Sequence, residues 1–181
     1  MRLFIAVDIP EEIKDYLVTI RNKISSDFAK IRWVTKEQMH ITLKFLGEVA
    51  ETNLNKIRTC LNSVQYTKFD VKLSNIGVFP TENYIRVIWV GLEPKDKIIS
   101  LQQKVDYSLK DLFKRERDFK VHLTLARVKF VKDKKKLSEV LKSLKIDDLT
   151  FTVNNFKLMK STLTPKGPIY EELALYKSQD L

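Results

Sequence analysis

Apolar positions recur along this chain with two different periods. Over 2–9 they run almost unbroken and are rich in β-branched residues up to Pro10, the pattern of a strand. Over 11–28, Ile13, Tyr16, Leu17, Ile20 and Ile24 return at three- and four-residue steps, which predicts a helix. A short strand over 31–34 and a strand over 40–46, stopped by Gly47, come next. A helix over 52–64 follows on Leu54, Ile57, Leu61 and Val64. Strands over 69–78 and 84–90 are joined by the loop Phe79-Pro80-Thr81-Glu82-Asn83. The rhythm then repeats. Pro94 opens a helix that reaches about Phe113, a charged stretch covers 114–120, and a strand covers 121–128. A lysine-rich helix over 132–144 leads to closing strands over 150–161 and 169–177, linked by Thr164-Pro165-Lys166-Gly167-Pro168. Strands and helices mix throughout with no linker between the halves, which argues an α+β or α/β fold.

The second half also repeats the first in its chemistry. The chain has two histidines, and both open the same tetrapeptide: His40-Ile41-Thr42-Leu43 and His122-Leu123-Thr124-Leu125, 82 residues apart. Thr at +2 and Leu at +3 follow a given histidine with a chance of roughly 1%, so the coincidence of both is on the order of one in ten thousand. The pattern indicates two copies of one unit. On a strand, residues two apart share a face. His40 and Thr42 therefore face together, as do His122 and Thr124, while Ile41, Leu43, Leu123 and Leu125 point into a core. Packed about a pseudo-twofold axis, the polar faces meet as a groove with two opposed imidazoles flanked by two hydroxyls.

Two such imidazoles suit displacement at phosphorus. A neutral histidine takes a proton from the attacking oxygen, and a protonated one gives a proton to the leaving oxygen. The threonine hydroxyls can donate to the non-bridging oxygens. Arg127, at +5 from His122, can add positive charge, although on a regular strand it lies on the opposite face and must be turned inward. Phe45, at +5 from His40, can stack on a base. Trp33 and Trp89 are read as core residues, and the lysine run over 132–136 as a solvated helix start. Neither histidine has a further His, Cys or carboxylate at ligand spacing. Glu48 and Asp118 form no motif with them, so no metal is expected.

Composition narrows the partner. The 181 residues carry 33 Lys and Arg against 23 Asp and Glu, a net charge of +10, which favours an anionic ligand such as nucleic acid. Apolar residues make up 44%, enough for a core. The single cysteine, Cys60, excludes a disulfide framework and a cysteine zinc site. The opening apolar run meets Asp8 before a signal-peptide core can form, and no window is long and apolar enough to span a membrane. A soluble cytoplasmic monomer without a cofactor is expected.

These residues resemble the two-histidine (2H) phosphoesterase superfamily, whose signature is a pair of His-x-Thr/Ser-x motifs about 80 residues apart. Within it the chain is most similar to the RNA 2′,3′-cyclic phosphodiesterase family, also called the 2′-5′ RNA ligase family. The likeness extends over Arg2-Leu3-Phe4-Ile5-Ala6, the two motifs with Lys44-Phe45-Leu46-Gly47 and Ala126-Arg127, Gly77-Val78-Phe79-Pro80, Arg86-Val87-Ile88-Trp89-Val90-Gly91 and Gly167-Pro168-Ile169-Tyr170. It implies an α+β fold as one domain over 1–181, with two pseudo-twofold-related lobes, each an antiparallel sheet with helices, around a central cleft. It implies metal-independent hydrolysis of an RNA 2′,3′-cyclic phosphate end to a 2′-phosphate. His40 would be the general acid to O3′ and His122 the general base to water. Thr42, Thr124 and Arg127 would hold the phosphate, with Phe45 stacking on the terminal base. Two alternatives stand beside this reading. One is a 2′-5′ RNA ligase or a 2H phosphoesterase acting on another 2′-5′ or cyclic phosphate. The other is a non-catalytic RNA-binding module.

Overall fold

Leu3, Ile5 and Val7 of β1 (Arg2–Asp8) enter the main core, while Phe4, Ala6 and Asp8 turn to the other face, as strand alternation requires. The computed structural model describes residues 1–165 and 167–179; Lys166, in the predicted closing link, lies outside the described residues. After β1 come α1 (Glu11–Arg21), β2 (Ala29–Trp33), β3 (His40–Glu48), α2 (Leu54–Asn62), β4 (Phe69–Thr81) and β5 (Tyr84–Glu93). The second half supplies α3 (Lys95–Ser108), β6 (Leu123–Val131), α4 (Lys134–Ser143), β7 (Thr150–Val153), β8 (Asn155–Thr164) and β9 (Gly167–Lys177).

The strands form two antiparallel sheets, ordered β3-β1-β8-β9 and β2-β6-β5-β4-β7. Laid side by side, β3-β1-β8-β9 matches β6-β5-β4-β7, with β2 added beside β6. The fold is the expected α+β arrangement of two related lobes. Each lobe borrows strands from the other half of the chain: β4 leaves the first half to pair with β5, and β8 leaves the second to pair with β1. The first sheet curls until Gln38, just before β3, donates from Nε2 to the Pro168 carbonyl at the head of β9, 2.7 Å away. One large core joins α1, α2 and α3 to both sheets. A smaller cluster packs Leu137 and Leu141 of α4 on Ile85, Ile88 and Val128.

Several boundaries differ from the periodicity, each for a local reason. The helix expected over 11–28 ends at Arg21, where backbone bonds from Lys23 to Ile20 and from Ile24 to Arg21 tighten the chain into a turn. Ile24 keeps helical spacing, but it is buried in the smaller cluster under the second sheet. Gly47 does not stop β3. It adopts φ +71° at a bulge where Leu3 pairs with Gly47 and Phe4 with Phe45, a conformation that suits glycine. The loop expected over 79–83 shrinks to Glu82-Asn83, with Phe79 to Thr81 paired in β4. The helix opened by Pro94 ends at Ser108, and a turn covers Leu109 to Phe113. The strand expected over 121–128 starts at Leu123 and extends to Val131. The strand expected over 150–161 breaks at Asn154 because its two parts join different sheets, β7 on β4 and β8 on β1.

Candidate active site

His40 is the first residue of β3, paired with Asp8, and His122 immediately precedes β6. Both imidazoles are held in the same way. Nδ1 of His40 lies 2.7 Å from the Gln38 carbonyl, and Nδ1 of His122 lies 2.7 Å from the Lys120 carbonyl. A carbonyl only accepts, so each Nδ1 carries the proton and each Nε2 is the basic nitrogen of the neutral ring. Nε2 of His40 accepts from the Thr42 hydroxyl at 2.9 Å. Aromatic rings brace both histidines. Phe4 and Tyr170 flank His40 with centroids at 4.9 and 5.4 Å, and Phe79 meets His122 edge-on at 5.0 Å.

A cleft of about 580 Å³ collects His40, Thr42, Phe45, His122, Thr124 and Arg127. The two +5 residues reach it by one device. In the β1–β3 ladder Ala6 pairs with Thr42 and Ile5 with Lys44, so Leu43 is an extra residue. In the β5–β6 ladder Trp89 pairs with Thr124 and Ile88 with Ala126, so Leu125 is an extra residue. A bulge therefore sits at the same place in both motifs and reverses the alternation after it. Leu43 with Lys44, and Leu125 with Ala126, are consecutively buried, while Phe45 and Arg127 emerge on the cleft face. Arg127 thus turns inward despite its odd spacing. Phe45 is 60% exposed and rests on the buried Phe4, centroid to centroid 5.9 Å.

Burial lowers both histidine pKa values. His40 falls from 6.5 to about 4: burial is the largest cause and the charge of His122 adds to it, against the Gln38 hydrogen bond and Asp8. His122 is lowered by burial and by Arg127, against the Lys120 hydrogen bond. In the free cleft both rings are therefore neutral near pH 7. Among the described residues, no three His, Cys, Asp or Glu side chains come together as a metal site, and no helix is long and apolar enough to cross a membrane.

Three residues of the cleft, Tyr170, Phe79 and Arg32, and the buried Phe4 behind His40 escape motif reading. Phe4, Tyr170 and Phe79 hold the imidazoles, and Arg32 joins the lining from β2. Three segments carried the signal, because Arg2-Leu3-Phe4-Ile5-Ala6, Gly77-Val78-Phe79-Pro80 and Gly167-Pro168-Ile169-Tyr170 each deliver an aromatic ring to a histidine. Trp89 is not a core residue. Its ring covers Gly77, where an added Cβ would come within 2.1 Å of it, and it packs on Phe79. Trp33 packs against the smaller core cluster as expected and also lines the cleft. The lysine run opens α4, whose N-cap Asp133 accepts from the Lys136 amide.

Comparison with known proteins agrees with this geometry. A family model described as LigT like Phosphoesterase matches the chain twice, over residues 7–89 and 90–170, one histidine motif in each match. The chain is 45% identical over 173 residues to the RNA 2′,3′-cyclic phosphodiesterase of Methanocaldococcus jannaschii, covering 94% of this chain and 97% of that protein. A protein of the same name from Archaeoglobus fulgidus is 35% identical over 179 residues, covering 98% and 100%. A solved structure from Thermus thermophilus superposes with a TM-score of 0.81 at 29% identity, covering 98% of this chain and 97% of that one. Escherichia coli LigT complexed with 3′-AMP shares the fold, with a TM-score of 0.80 at 24% identity over 99% and 98% of the two chains.

Proposed function

The chain belongs to the LigT-like phosphoesterase family, and on that premise we propose that it hydrolyses RNA 2′,3′-cyclic phosphate ends to 2′-phosphates, using its two histidines as acid and base. One observation carries the reading: both rings spend Nδ1–H on the carbonyl two residues upstream, which leaves Nε2 of each as the basic nitrogen at a single cleft. In the step, a water oxygen bonds to phosphorus as the P–O3′ bond breaks. His122 takes the water proton, and His40 gives a proton to O3′. Thr42, Thr124 and Arg127 hold the non-bridging oxygens, and Phe45 stacks on the terminal base. Residues 1–181 act together as one two-lobed domain, a cytoplasmic monomer that needs no metal or cofactor.

With both rings neutral in the free cleft, the required proton is taken up from solvent as the substrate binds, because its phosphate anion favours an imidazolium beside it. The deeper pKa depression of His40 favours a second reading of the roles, in which His122 holds that proton as the acid and His40 is the base. A substrate with sulfur in place of O3′ needs no acid, so it restores turnover only to the variant that lacks the acid.

The activity itself is tested by incubating the protein with EDTA and a short RNA ending in a 2′,3′-cyclic phosphate. A 2′-phosphate product is expected. A 3′-phosphate product would refute the choice of leaving group. No product would move the assignment to ligation or another cyclic phosphate, and loss of activity to chelator would refute metal independence.

A further inference from the structure

The cleft face of the second sheet continues beyond the catalytic residues in two ordered rows. Cross-strand partners share a face, so the ladder fixes which side chains line up. The first row runs Arg32, Arg127, Val87 and Phe79 across β2, β6, β5 and β4. Arg32, Arg127 and Phe79 of this row line the cleft.

The next row outward is set by the same register. Lys30 stands two residues from Arg32 on β2 and pairs with Phe130, the extra residue of that ladder being Lys129 on β6. Thr81 stands two residues from Phe79 on β4 and pairs with Tyr84, the extra residue there being Arg86 on β5. Lys30, Phe130, Tyr84 and Thr81 therefore share the face of Arg127. Phe130 is 63% and Tyr84 55% exposed, and both line a depression of about 250 Å³. The Arg86 guanidinium lies 4.6 Å over the Tyr84 ring, held by the Lys129 carbonyl at 2.8 Å.

Two exposed aromatic rings lie beside Arg86, Lys129 and Lys134, in a depression whose lining carboxylate, Glu82, is paired with Lys142. Lys30 shares the face of the rings, one row from Arg32 and Arg127 of the cleft, and this arrangement matches single-stranded nucleic acid. Such a strand needs positive charge along its backbone and flat apolar faces for its bases. We propose that this outer row docks the body of a single-stranded RNA whose cyclic phosphate end lies between the histidines. The proposal rests on the function argued above and adds where the rest of the RNA runs. Thr124 to the Tyr84 row is four ladder steps, about 13 Å, the length of about four stacked nucleotides at 3.4 Å each.

The test compares two substrates, a nucleoside 2′,3′-cyclic monophosphate and an eight-nucleotide RNA with the same end, on Phe130→Ala, Tyr84→Ala and Lys30→Glu. Turnover of the mononucleotide should stay within about twofold of the parent, which also shows that each variant folds. The KM for the eight-nucleotide RNA should rise about tenfold for each lost ring, and Lys30→Glu should flatten its salt dependence. An unchanged KM for the longer RNA, or an equal loss on both substrates, would overturn the track. Binding of the same RNA by fluorescence anisotropy separates the two proposals. If the parent hydrolyses neither substrate, the activity assignment fails, while weaker RNA binding by Phe130→Ala still supports the track and equal binding removes it.

Discussion

Replacing Lys44 with methionine should destabilise the protein by about 3 kcal/mol, and replacing Asp106 with leucine by about 5 kcal/mol. The bulge after the first motif sends the Lys44 side chain inward, where its ammonium is 4% exposed beside an Asp106 carboxylate that is 2% exposed. Nζ of Lys44 donates to Oδ1 of Asp106 at 2.5 Å and to the Lys114 carbonyl at 2.7 Å. Asp106 also accepts from the Glu116 amide at 3.1 Å and from Nε of Arg115. Burial pushes the Asp106 carboxyl up, but the hydrogen bonds from Lys44, Arg115 and Glu116 outweigh it and hold the group below the usual carboxylate range. Without Lys44 the carboxylate keeps two donors, one of them the half-exposed Arg115, hence the smaller loss. Without Asp106 a buried ammonium keeps one carbonyl, hence the larger loss.

The double variant should lose no more than Asp106→Leu alone, a coupling of about 3 kcal/mol in a double-mutant cycle. Urea denaturation measures all three, and 3 kcal/mol should lower Tm by about 6–12 °C at this chain length. The same network ties down the stretch that carries Lys120, whose carbonyl fixes the His122 tautomer. The double variant should therefore keep a reduced kcat even well below its Tm. Additive single losses, or a Lys44→Met variant within about 0.5 kcal/mol of the parent, would refute the reasoning.

Three further outcomes are expected. His40→Ala and His122→Ala should each lower turnover by about 10²- to 10⁴-fold while RNA affinity by anisotropy changes little, and near-normal turnover in either would rule out the acid–base pair. Because His40 is neutral when folded down to about pH 4 and titrates near 6.5 when unfolded, the unfolded chain binds the extra proton between those values. Stability should fall as pH drops from about 6.5 toward 4, by up to about 3 kcal/mol from this group, and the difference between parent and His40→Asn in urea midpoints at pH 7 and 4.5 should expose it. An equal acid loss in both proteins would exclude it. Phe45→Ala should raise the KM for a cyclic mononucleotide about tenfold with kcat nearly unchanged, and a loss confined to kcat would contradict stacking.

The motif strands and most helices were legible because one-sided burial writes its period into the sequence. Ile41, Leu43, Leu123 and Leu125 marked the buried sides, so the histidine faces followed from parity. What parity could not supply was the extra residue. Nothing in Leu43-Lys44 or Leu125-Ala126 announces a bulge, because the bulge is a property of the ladder with β1 or β5 rather than of the strand alone. The break at Asn154 was hidden for a similar reason. Phe151, Val153, Phe156 and Leu158 are all buried, in strands that belong to different sheets. The bracing rings of Phe4, Phe79 and Tyr170 lie far from the motifs in sequence and meet them only through pairing.

The bulges also make the cleft of a duplicated unit asymmetric, as the proposed nucleotide substrate requires. Two identical motifs on a twofold would offer two identical half-sites, with nothing to orient a nucleotide between them. The shared distortion brings the +5 side chain of each copy to the cleft, and there the copies differ: Phe45 on one side, Arg127 on the other. In the proposed reaction the Phe45 wall takes the flat base and the Arg127 wall the anion. The +4 side chains, driven inward by the same bulges, differ as well. Ala126 simply packs in the smaller core, whereas Lys44 reaches Asp106 and pins the stretch that ends at His122. The backbone device is common to both halves, the direction of the cleft comes from two side chains, and exchanging Phe45 and Arg127 tests that division. The swap should leave the fold intact and cost productive orientation of substrate, read as a fall in kcat/KM larger than any fall in Tm explains.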